Sequence, residues 1–343
     1  METIDLIHNY PLPSNSTPEL LESLALKIKS DPALSISYIP VEGLPSHREV
    51  AGRWLDVPPS RLGFGVSGHQ LLTSLVLAFT KPGDAIACEE ITYNGWLNIT
   101  RHTQRKNVPV KSDEQGMLPA SLDEAAKNQK LWGIFLMPSL HNPLCRIIPL
   151  ERRLALIEVA KKHDLWIIDD DAYRFLNPSP PKSFAHLYPE KSFWIQSVTK
   201  PLFPGIKTAL IAAPEACMPA LTEALRATGH QPSPLTLPWV LDLLSSGKMD
   251  QIILDKQNEA RKRQAIASEI LKGLEFQTIP TSFHLWLKVP ESWSPQGVGI
   301  VPGIRYFAGE NTPPSAVRVA LAGETLPKME EGLKRIATQL FLK

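Results

Sequence analysis

The stretch that organises this chain is SVTKPLFPGIK, at residues 197–207. It follows an apolar run, residues 193–196, that predicts a buried strand. The prolines and glycine after Lys200 end any regular structure, so this lysine is expected on a rigid turn just past a strand end. Nearby hydroxyl and backbone N–H groups can hold an anion, and a fixed lysine can form a Schiff base. The alternative is an ordinary solvated lysine, because an S-x-x-K string is common by chance.

Composition and charge exclude several classes of function. The chain has 343 residues, enough for two domains, and a formal net charge of +1. Balanced charge predicts neither a nucleic-acid partner nor a membrane-surface partner. No apolar run reaches the roughly 18 residues that span a bilayer, and residues 1–10 do not resemble a signal peptide. Cys88, Cys145 and Cys217 are few and far apart, which predicts a reducing, cytoplasmic setting without disulfides or a zinc site.

Strand and helix patterns alternate from about residue 60 to residue 212. Short apolar strands separated by helices are predicted at residues 62–66, 85–88, 108–110, 131–137, 165–168, 193–196 and 208–212. This alternation predicts an α/β fold with a mostly parallel seven-stranded sheet between two layers of helices. After Pro214 the pattern changes to that of a smaller α+β domain.

The same patterns suggest three parts of the chain. Residues 1–40 are expected to form an N-terminal arm and part of a small domain, with residues 1–20 lying on the surface. Residues 41–225 are expected to form a large domain that carries the site, and residues 226–343 a small C-terminal domain. Helices are predicted at 93–105 and 248–274, and a strand at 298–301.

Polar residues follow the predicted parallel strands where these strands end. Ligands of such sheets bind beyond the carboxyl ends of the strands. We therefore expect one site formed by residues 68–70, Tyr93, Asn142, Asp170, Tyr173 and Lys200.

The residue types at these positions suggest functional roles, and for several of them an ordinary structural role is an alternative. Residues 68–70 open a helix, where free N–H groups and the helix dipole favour a phosphate. Asp170 ends an apolar strand, and a buried carboxylate needs a cation such as a protonated ring nitrogen. Solvation at the strand end explains at least two of the three aspartates at 169–171. Asn142 fits an ordinary Asn-Pro turn, and Arg318 is either an edge-strand charge or a bidentate carboxylate receptor.

These residues together describe a pyridoxal phosphate (PLP) site. It has donors for a phosphate, an aromatic side chain that can stack on a ring, a carboxylate for a pyridinium nitrogen and a fixed lysine. Seven motifs occur in a recognisable order: Y-x-x-x-x-G at 38–43, G-x-Q at 68–70, E-x-x-T-Y at 89–93, P-x-x-x-N-P at 138–143, D-D-x-Y at 170–173, S-x-T-K-x-x-x-P-G at 197–205 and V-R-V at 317–319. In these motifs the whole chain resembles the fold type I, class I/II aminotransferases. It is nearest to the branch of aminoadipate/kynurenine aminotransferases and the effector domains of MocR-like regulators.

The resemblance implies a role for each residue. Lys200 would hold PLP and move protons, Asp170 would pair with the ring nitrogen, and Tyr93 would stack on the ring. Asn142 and Tyr173 would hydrogen-bond the ring oxygen. The phosphate would be held by Gly68, His69, Gln70, Ser197 and Thr199. Tyr38 would reach the phosphate of a partner subunit, which implies a homodimer, and Arg318 would bind the substrate carboxylate.

Some positions depart from the family pattern. Lys207 stands where a phosphate-binding arginine is usual, and Leu144-Cys145 replaces Thr-Gly. Asn9, in Asn9-Tyr10-Pro11, replaces a pocket glycine and would narrow the substrate pocket. Specificity is expected to depend on this arm, on the loop at residues 14–17 and on a partner subunit.

The leading hypothesis for function is a ping-pong aminotransferase that acts on an amino acid and a 2-oxo acid. Another PLP reaction, such as elimination, decarboxylation or cyclisation in a biosynthetic pathway, is the first alternative. A PLP-binding regulatory domain with little turnover is the second. We expect no DNA-binding domain, because none precedes the arm and the charge is near neutral.

Overall fold

The computed structural model describes residues 2–10 and 17–341. Pro11 and residues 14–16 of the predicted specificity loop lie outside these ranges. The strands of the described ranges are β1 Ile4–Asp5, β2 Leu62–Gly65, β3 Ala85–Glu89, β4 Lys106–Val110, β5 Ser112–Asp113, β6 Gly116–Met117, β7 Gly133–Leu136, β8 Trp166–Asp170, β9 Ser192–Ser197, β10 Ala209–Ala212, β11 Phe276–Gln277, β12 His284–Lys288, β13 Val298–Gly299, β14 Val301–Pro302 and β15 Ala316–Ala320.

The α-helices of the same ranges are α1 Thr17–Ser30, α2 Pro32–Ser35, α3 Pro45–Leu55, α4 Gly68–Phe79, α5 Asn94–His102, α6 Pro119–Asn128, α7 Leu150–Lys162, α8 Phe184–Leu187, α9 Met218–Gly229, α10 Leu237–Ser245, α11 Lys248–Ile270 and α12 Leu326–Phe341. None of these helices is both long and apolar enough to cross a bilayer.

A seven-stranded sheet forms the centre of the molecule, in the order β2-β10-β9-β8-β7-β3-β4. Strand β10 runs antiparallel to both of its neighbours, and the other pairings are parallel. The predicted mostly parallel sheet is therefore confirmed. Most of its strands are short apolar runs because helices cover both faces of the sheet, whereas edge strand β4 begins with the exposed Lys106.

The C-terminal part contains a smaller antiparallel sheet, in the order β11-β12-β15-β14. Its core includes side chains of α11 and α12. Phe283 and Trp286 are buried. Strand β15 lies between two others, so Arg318 is buried on an interior strand and its interpretation as an edge-strand charge is wrong.

The N-terminal segment is predicted to lie on the surface, which holds for the exposed Ile7 and His8 and is wrong for the buried Ile4, Leu6 and Asn9. Strand β1 pairs in parallel with β13, and Ile4 and Leu6 are buried in the core of the small sheet. Alternate residues of an extended chain face the same side, which allows both apolar side chains to enter that core. The division into residues 1–40, 41–225 and 226–343 stays a prediction.

Several element boundaries differ from the predicted ones. Helix α5 ends at His102 instead of residue 105, because Gln104 adopts a left-handed conformation with φ 60° and the chain turns into β4. Helix α11 ends at Ile270 instead of residue 274. The strand predicted at 298–301 is divided between β13 and β14, which belong to different sheets. Helix α9, which was not predicted, packs against α4.

Candidate active site

A cavity opens at the edge of the large sheet where β8 and β9 end. It brings together most of the predicted site residues, namely Tyr10, Gly68, His69, Tyr93, Asp170, Tyr173, Ser197, Thr199, Lys200 and Lys207. A larger cavity of about 430 Å³ lies between α3, α11 and residues 174–196 and contains none of them. Because the chemically active groups converge at the sheet edge, we take the smaller cavity as the candidate site.

Lys200 lies on the turn that follows β9. Its Nζ donates a hydrogen bond to the hydroxyl of Tyr173 at 3.2 Å. The ring of Tyr10 lies against the same nitrogen, with its centroid 3.7 Å away. The amine is therefore held at the cavity wall by a phenol oxygen and by an aromatic face that attracts its positive charge.

Asp170 is the last residue of β8 and is buried. Among the described residues, its carboxylate accepts a hydrogen bond from Ala172 N–H at 3.2 Å and has no salt bridge. Burial raises the pKa of Asp170 to about 7; the Ala172 N–H opposes this shift, Asp171 adds to it and Lys200 opposes it. A cation placed beside this carboxylate would stabilise its ionised form.

The neighbouring aspartates are also buried, so the prediction that solvation explains two of the three is wrong. Asp171 accepts hydrogen bonds from Ser139 N at 3.2 Å, Trp194 Nε1 at 2.9 Å and Arg174 at 3.3 Å. Asp169 Oδ2 accepts from the backbone N–H of Phe184 at 3.0 Å. Successive side chains of a strand point to opposite faces, which explains why Asp170 alone among the three lines the cavity.

The first turn of α4 lies in the cavity wall. Ser67 Oγ accepts from Gln70 N at 3.1 Å, and within the described chain the N–H groups of Gly68 and His69 have no acceptor. These donors and the helix dipole favour a phosphate group. The Ser197 hydroxyl and the Lys207 ammonium also line the cavity. Neither makes a hydrogen bond or ion pair with a described residue, so both are available to the same anion.

Two predicted phosphate ligands have other partners. Gln70 does not line the cavity: its side chain accepts from Val66 N at 3.2 Å and donates to Ser74 and to Thr228, the latter at 3.0 Å. The Gln70 side chain therefore connects the start of α4 to α9. Thr199 lines the cavity, but its hydroxyl donates to the carbonyl oxygens of Ile206 and Thr208.

Arg318 and Asn142 meet beyond the cavity lining. Arg318 donates to Asn142 Oδ1 at 3.3 Å and to the carbonyl oxygen of Ile7. Its guanidinium also lies over the ring of Tyr306, 5.7 Å from the centroid. Asn9 Nδ2 lies 3.1 Å from the Tyr173 hydroxyl, which connects the N-terminal segment to the cavity.

Tyr38 does not reach the cavity of its own chain. It is 72% exposed, and its ring lies edge-on to His230 with centroids 5.0 Å apart.

Sequence reasoning missed three residues around the site. Ser67 caps α4, and the S-x-x-Q spacing of Ser67 and Gln70 was a signal for it. Gly95 leaves room for the Tyr93 ring, because a Cβ added there would lie 2.3 Å from the ring. His284 is buried beside Tyr173, and no local pattern marks it. The described part of the chain has no cluster of three or more His, Cys, Asp or Glu side chains that could hold a metal.

Comparison with known proteins agrees with this geometry. The family model for Aminotransferase class I and II matches residues 7–336. The chain is 28% identical over 280 residues to the HTH-type transcriptional regulator YdeF of Bacillus subtilis, covering 79% of this chain but only 61% of that regulator. It is 25% identical to the 2-aminoadipate transaminase of Thermus thermophilus, covering 94% of this chain and 86% of that enzyme.

The fold has solved counterparts. The crystal structure of an archaeal alanine:glyoxylate aminotransferase superimposes with a TM-score of 0.91 at 23% identity, covering 100% of this chain and 92% of the other. The predicted fold class is therefore confirmed.

Proposed function

The chain belongs to the class I and II aminotransferase family, whose members use pyridoxal phosphate, and from this premise we propose that the cavity at Lys200 is its active site. The observation that carries the proposal is the hydrogen bond from Lys200 to Tyr173 in a cavity that Asp170 also lines. An amine, a phenol and a carboxylate at one sheet edge are the groups this cofactor needs.

The residues of the cavity fit pyridoxal phosphate. Asp170 is a buried carboxylate that forms no salt bridge with another described residue, and a protonated ring nitrogen would give it a cationic partner. Gly68 and His69 offer free N–H groups to a phosphate, with Ser197 and Lys207 beside them. Tyr93 would stack on the ring, and Tyr173 and Asn142 would bind the ring oxygen. We assign Gln70 and Thr199 a supporting role, because their side chains already have partners.

The chemistry divides between the cofactor and this chain. When bound, pyridoxal phosphate withdraws electrons from the substrate and makes its Cα proton acidic. The Lys200 amine is the group that can take up this proton and return it, acting first as base and then as acid. The Asp170 carboxylate would stabilise a positive charge placed opposite it, and the Tyr173 hydroxyl would donate a hydrogen bond to the ring oxygen of the cofactor. The ring of Tyr10 lies against the amine and covers one side of it.

For the substrate we propose a small α-amino acid and a 2-oxo acid that exchange an amino group in ping-pong fashion. Arg318 would bind the carboxylate, assisted by Asn142, which already touches it. Asn9 and Tyr10 would close the pocket on the other side. The bulk of Asn9, where the family has glycine, favours a short substrate side chain.

A regulatory role is the second candidate, and the similarity to the HTH-type regulator YdeF favours it. Another pyridoxal phosphate reaction on the same residues is a third.

We also propose a homodimeric, cytoplasmic protein. The three cysteines are free and buried, as suits a reducing compartment.

A spectroscopic titration tests these proposals. The protein with pyridoxal phosphate is mixed with a panel of amino acids, then with 2-oxo acids, and the absorbance is followed. Conversion of bound cofactor to its amino form and back supports transamination. Spectral change without this product indicates another reaction, and no change with any amino acid favours regulation.

The lysine assignment has its own test. Lys200→Ala is expected to abolish the visible band of the bound cofactor, and borohydride reduction followed by peptide mapping should label Lys200 in the unaltered protein. Lys207→Ala is the matched control, a lysine of the same cavity that should lose cofactor affinity but keep the labelling site. Label on a lysine other than Lys200 would contradict the assignment.

A further inference from the structure

A buried hydrogen-bonded chain runs from His284 through Asn9 to Tyr173, and the proposed function does not use its link between His284 and Asn9. Asn9 is 4% exposed. Its Nδ2 lies 3.1 Å from the Tyr173 hydroxyl and 3.0 Å from His284 Nδ1. Asn9 and Tyr173 are 164 positions apart in the sequence, so the contact depends on the N-terminal segment docking against the cavity.

His284 fixes the orientation of the Asn9 amide. Its Nε2 lies 3.3 Å from the carbonyl oxygen of His141, which can only accept, so Nε2 carries the proton and Nδ1 is an acceptor. Burial, with the charge of Arg318, lowers the pKa of His284 well below its ordinary value, so the ring stays neutral. Asn9 therefore has to present its NH₂ group, which has two protons: one for His284 and one for Tyr173.

The hydrogen bonds at the Tyr173 hydroxyl indicate where its own proton can be donated. A phenol oxygen accepts about two hydrogen bonds and donates one. It accepts from Asn9 Nδ2 and from Lys200 Nζ, so its own proton is free to be donated toward the cavity. The Lys200 contact is not permanent, since the same amine has to bond to the cofactor and move protons. The Asn9 amide has no second reaction partner, so its hydrogen bond to Tyr173 can be maintained.

We propose that Asn9 is a positioning residue that keeps Tyr173 a hydrogen-bond donor toward the ring oxygen of the cofactor, with His284 holding Asn9 in turn. This inference rests on the proposed function, because it requires the cofactor in the Lys200 cavity. It gives a second role to the residue that replaces the family glycine: Asn9 narrows the pocket and also replaces the hydrogen bond that Tyr173 loses when Lys200 is engaged.

The test is the pH at which the visible absorbance of the bound cofactor changes. A hydrogen bond to the ring oxygen favours its unprotonated form and lowers this midpoint. Asn9→Gly removes the donor to Tyr173 and should raise the midpoint by about half to one pH unit, the effect of one hydrogen bond. Asn9→Leu keeps the volume of the side chain without its hydrogen bonds and should raise the midpoint similarly.

The charged and titratable groups around Tyr173 are shared by every variant. They include Lys200, Tyr10, His284, Tyr93, Tyr306, Arg318 and Asp170. In a Tyr173→Phe background neither change at Asn9 should move the midpoint further, because the residue that transmits the effect is gone.

Two results would overturn the inference: unchanged midpoints in both single variants, or equal shifts in the Tyr173→Phe background. Asn9→Gly restores the family residue, so it remains decisive if Asn9→Leu fails to fold. If the unaltered protein gains no visible band with pyridoxal phosphate, the proposed function itself fails. If the band forms, disappears in Lys200→Ala and has the same midpoint in Asn9→Gly, only the role of Asn9 fails.

Discussion

At the scale of single residues, Asp170 has an environment that disfavours its charge. Burial raises its pKa from the ordinary 3.8 to about 7. A group whose folded-state pKa is raised makes folding less favourable once it ionises, so without a bound cation the protein should lose stability as the pH rises from about 4 to 7. A buried carboxylate whose ionisation lowers the stability of the fold is a strong candidate for a ligand contact.

Replacing Asp170 with asparagine should therefore separate stability from binding. Without cofactor, Asp170→Asn should be more stable than the unaltered protein at pH 8, with a free energy of unfolding about 2 to 4 kcal/mol higher. At pH 4 the two free energies of unfolding should be equal. Urea unfolding at both pH values and one protein concentration measures this. Pyridoxal phosphate should bind the variant more weakly at pH 8. A stability difference that is equal at both pH values would mean that ionisation of Asp170 is not its cause.

Arg318 should affect the substrate and hardly the cofactor. It lies on interior strand β15 and contacts Asn142, and it does not line the cavity. Arg318→Ala is expected to lower kcat/KM by roughly a hundredfold or more, about 3 kcal/mol of transition-state binding, with the cofactor spectrum intact. Arg305→Ala, an exposed arginine of the same part of the chain, is the control and should turn over normally. Normal turnover in Arg318→Ala would show that Arg318 is not the receptor of the substrate carboxylate.

Lys207 supplies charge to the anion site without a second fixed hydrogen bond. Lys207→Arg should leave cofactor affinity unchanged or tighten it by on the order of 1 kcal/mol, because a guanidinium can form two parallel bonds to a phosphate. Equilibrium dialysis with pyridoxal phosphate measures the effect. Weaker binding by the arginine variant would show that Lys207 does not face the phosphate.

At the scale of elements, the start of α5 sets the position of the Tyr93 ring. Tyr93 immediately precedes the helix, and Gly95 in its first turn leaves the space that the ring occupies. The remaining lining comes from other strand ends, so the site is assembled from several elements that each contribute one or two groups. A change in one element can therefore displace one group and leave the fold intact.

Gly95→Ala should displace the Tyr93 ring. The added Cβ would lie 2.3 Å from that ring, so the ring has to move, whereas the helix itself tolerates alanine better than glycine. We expect cofactor affinity to fall about tenfold through lost stacking, with thermal stability hardly changed. In combination with Tyr93→Ala the change should have no further effect on affinity. An additional loss in the double variant would mean that Gly95 acts on another group.

At the scale of the whole molecule, one surface is more apolar than a monomer needs. Large apolar side chains are exposed around α1 and the segment after it: Leu21 48%, Leu26 59%, Ile36 88% and Tyr38 72%. Scattered exposed apolar residues are ordinary, but a run of them within one segment is typical of an interaction surface. Tyr38, which points away from the cavity of its own chain, belongs to this surface.

The protein should therefore be a homodimer in which Tyr38 serves the partner's site. Ile36→Asp is expected to shift light scattering at micromolar concentration toward the monomer and to weaken cofactor binding together with it. Leu154→Asp, at a leucine 46% exposed on α7, is the matched control and should do neither. A stable and active monomer of the unaltered protein would contradict the homodimer.

The sequence by itself determined where the seven strands of the large sheet lie along the chain and the type of the site. Apolar runs, proline and glycine punctuation and the S-x-T-K turn depend on residues near in the chain, since backbone angles and side-chain periodicity act over a few positions. The seven-stranded sheet could be predicted for this reason. So could a lysine on the turn after β9 and an aspartate at the end of β8.

Tertiary structure alone decided which side chains are partners. Gln70 was predicted to hold a phosphate, yet it bonds to Thr228, 158 positions away. Arg318 meets Asn142 across 176 positions, and Asn9 meets Tyr173 across 164. These contacts follow from how α9, β15 and the N-terminal segment pack against the large sheet. A hydrogen bond needs its two groups about 3 Å apart, and no local pattern specifies a distance between segments so far apart in the chain.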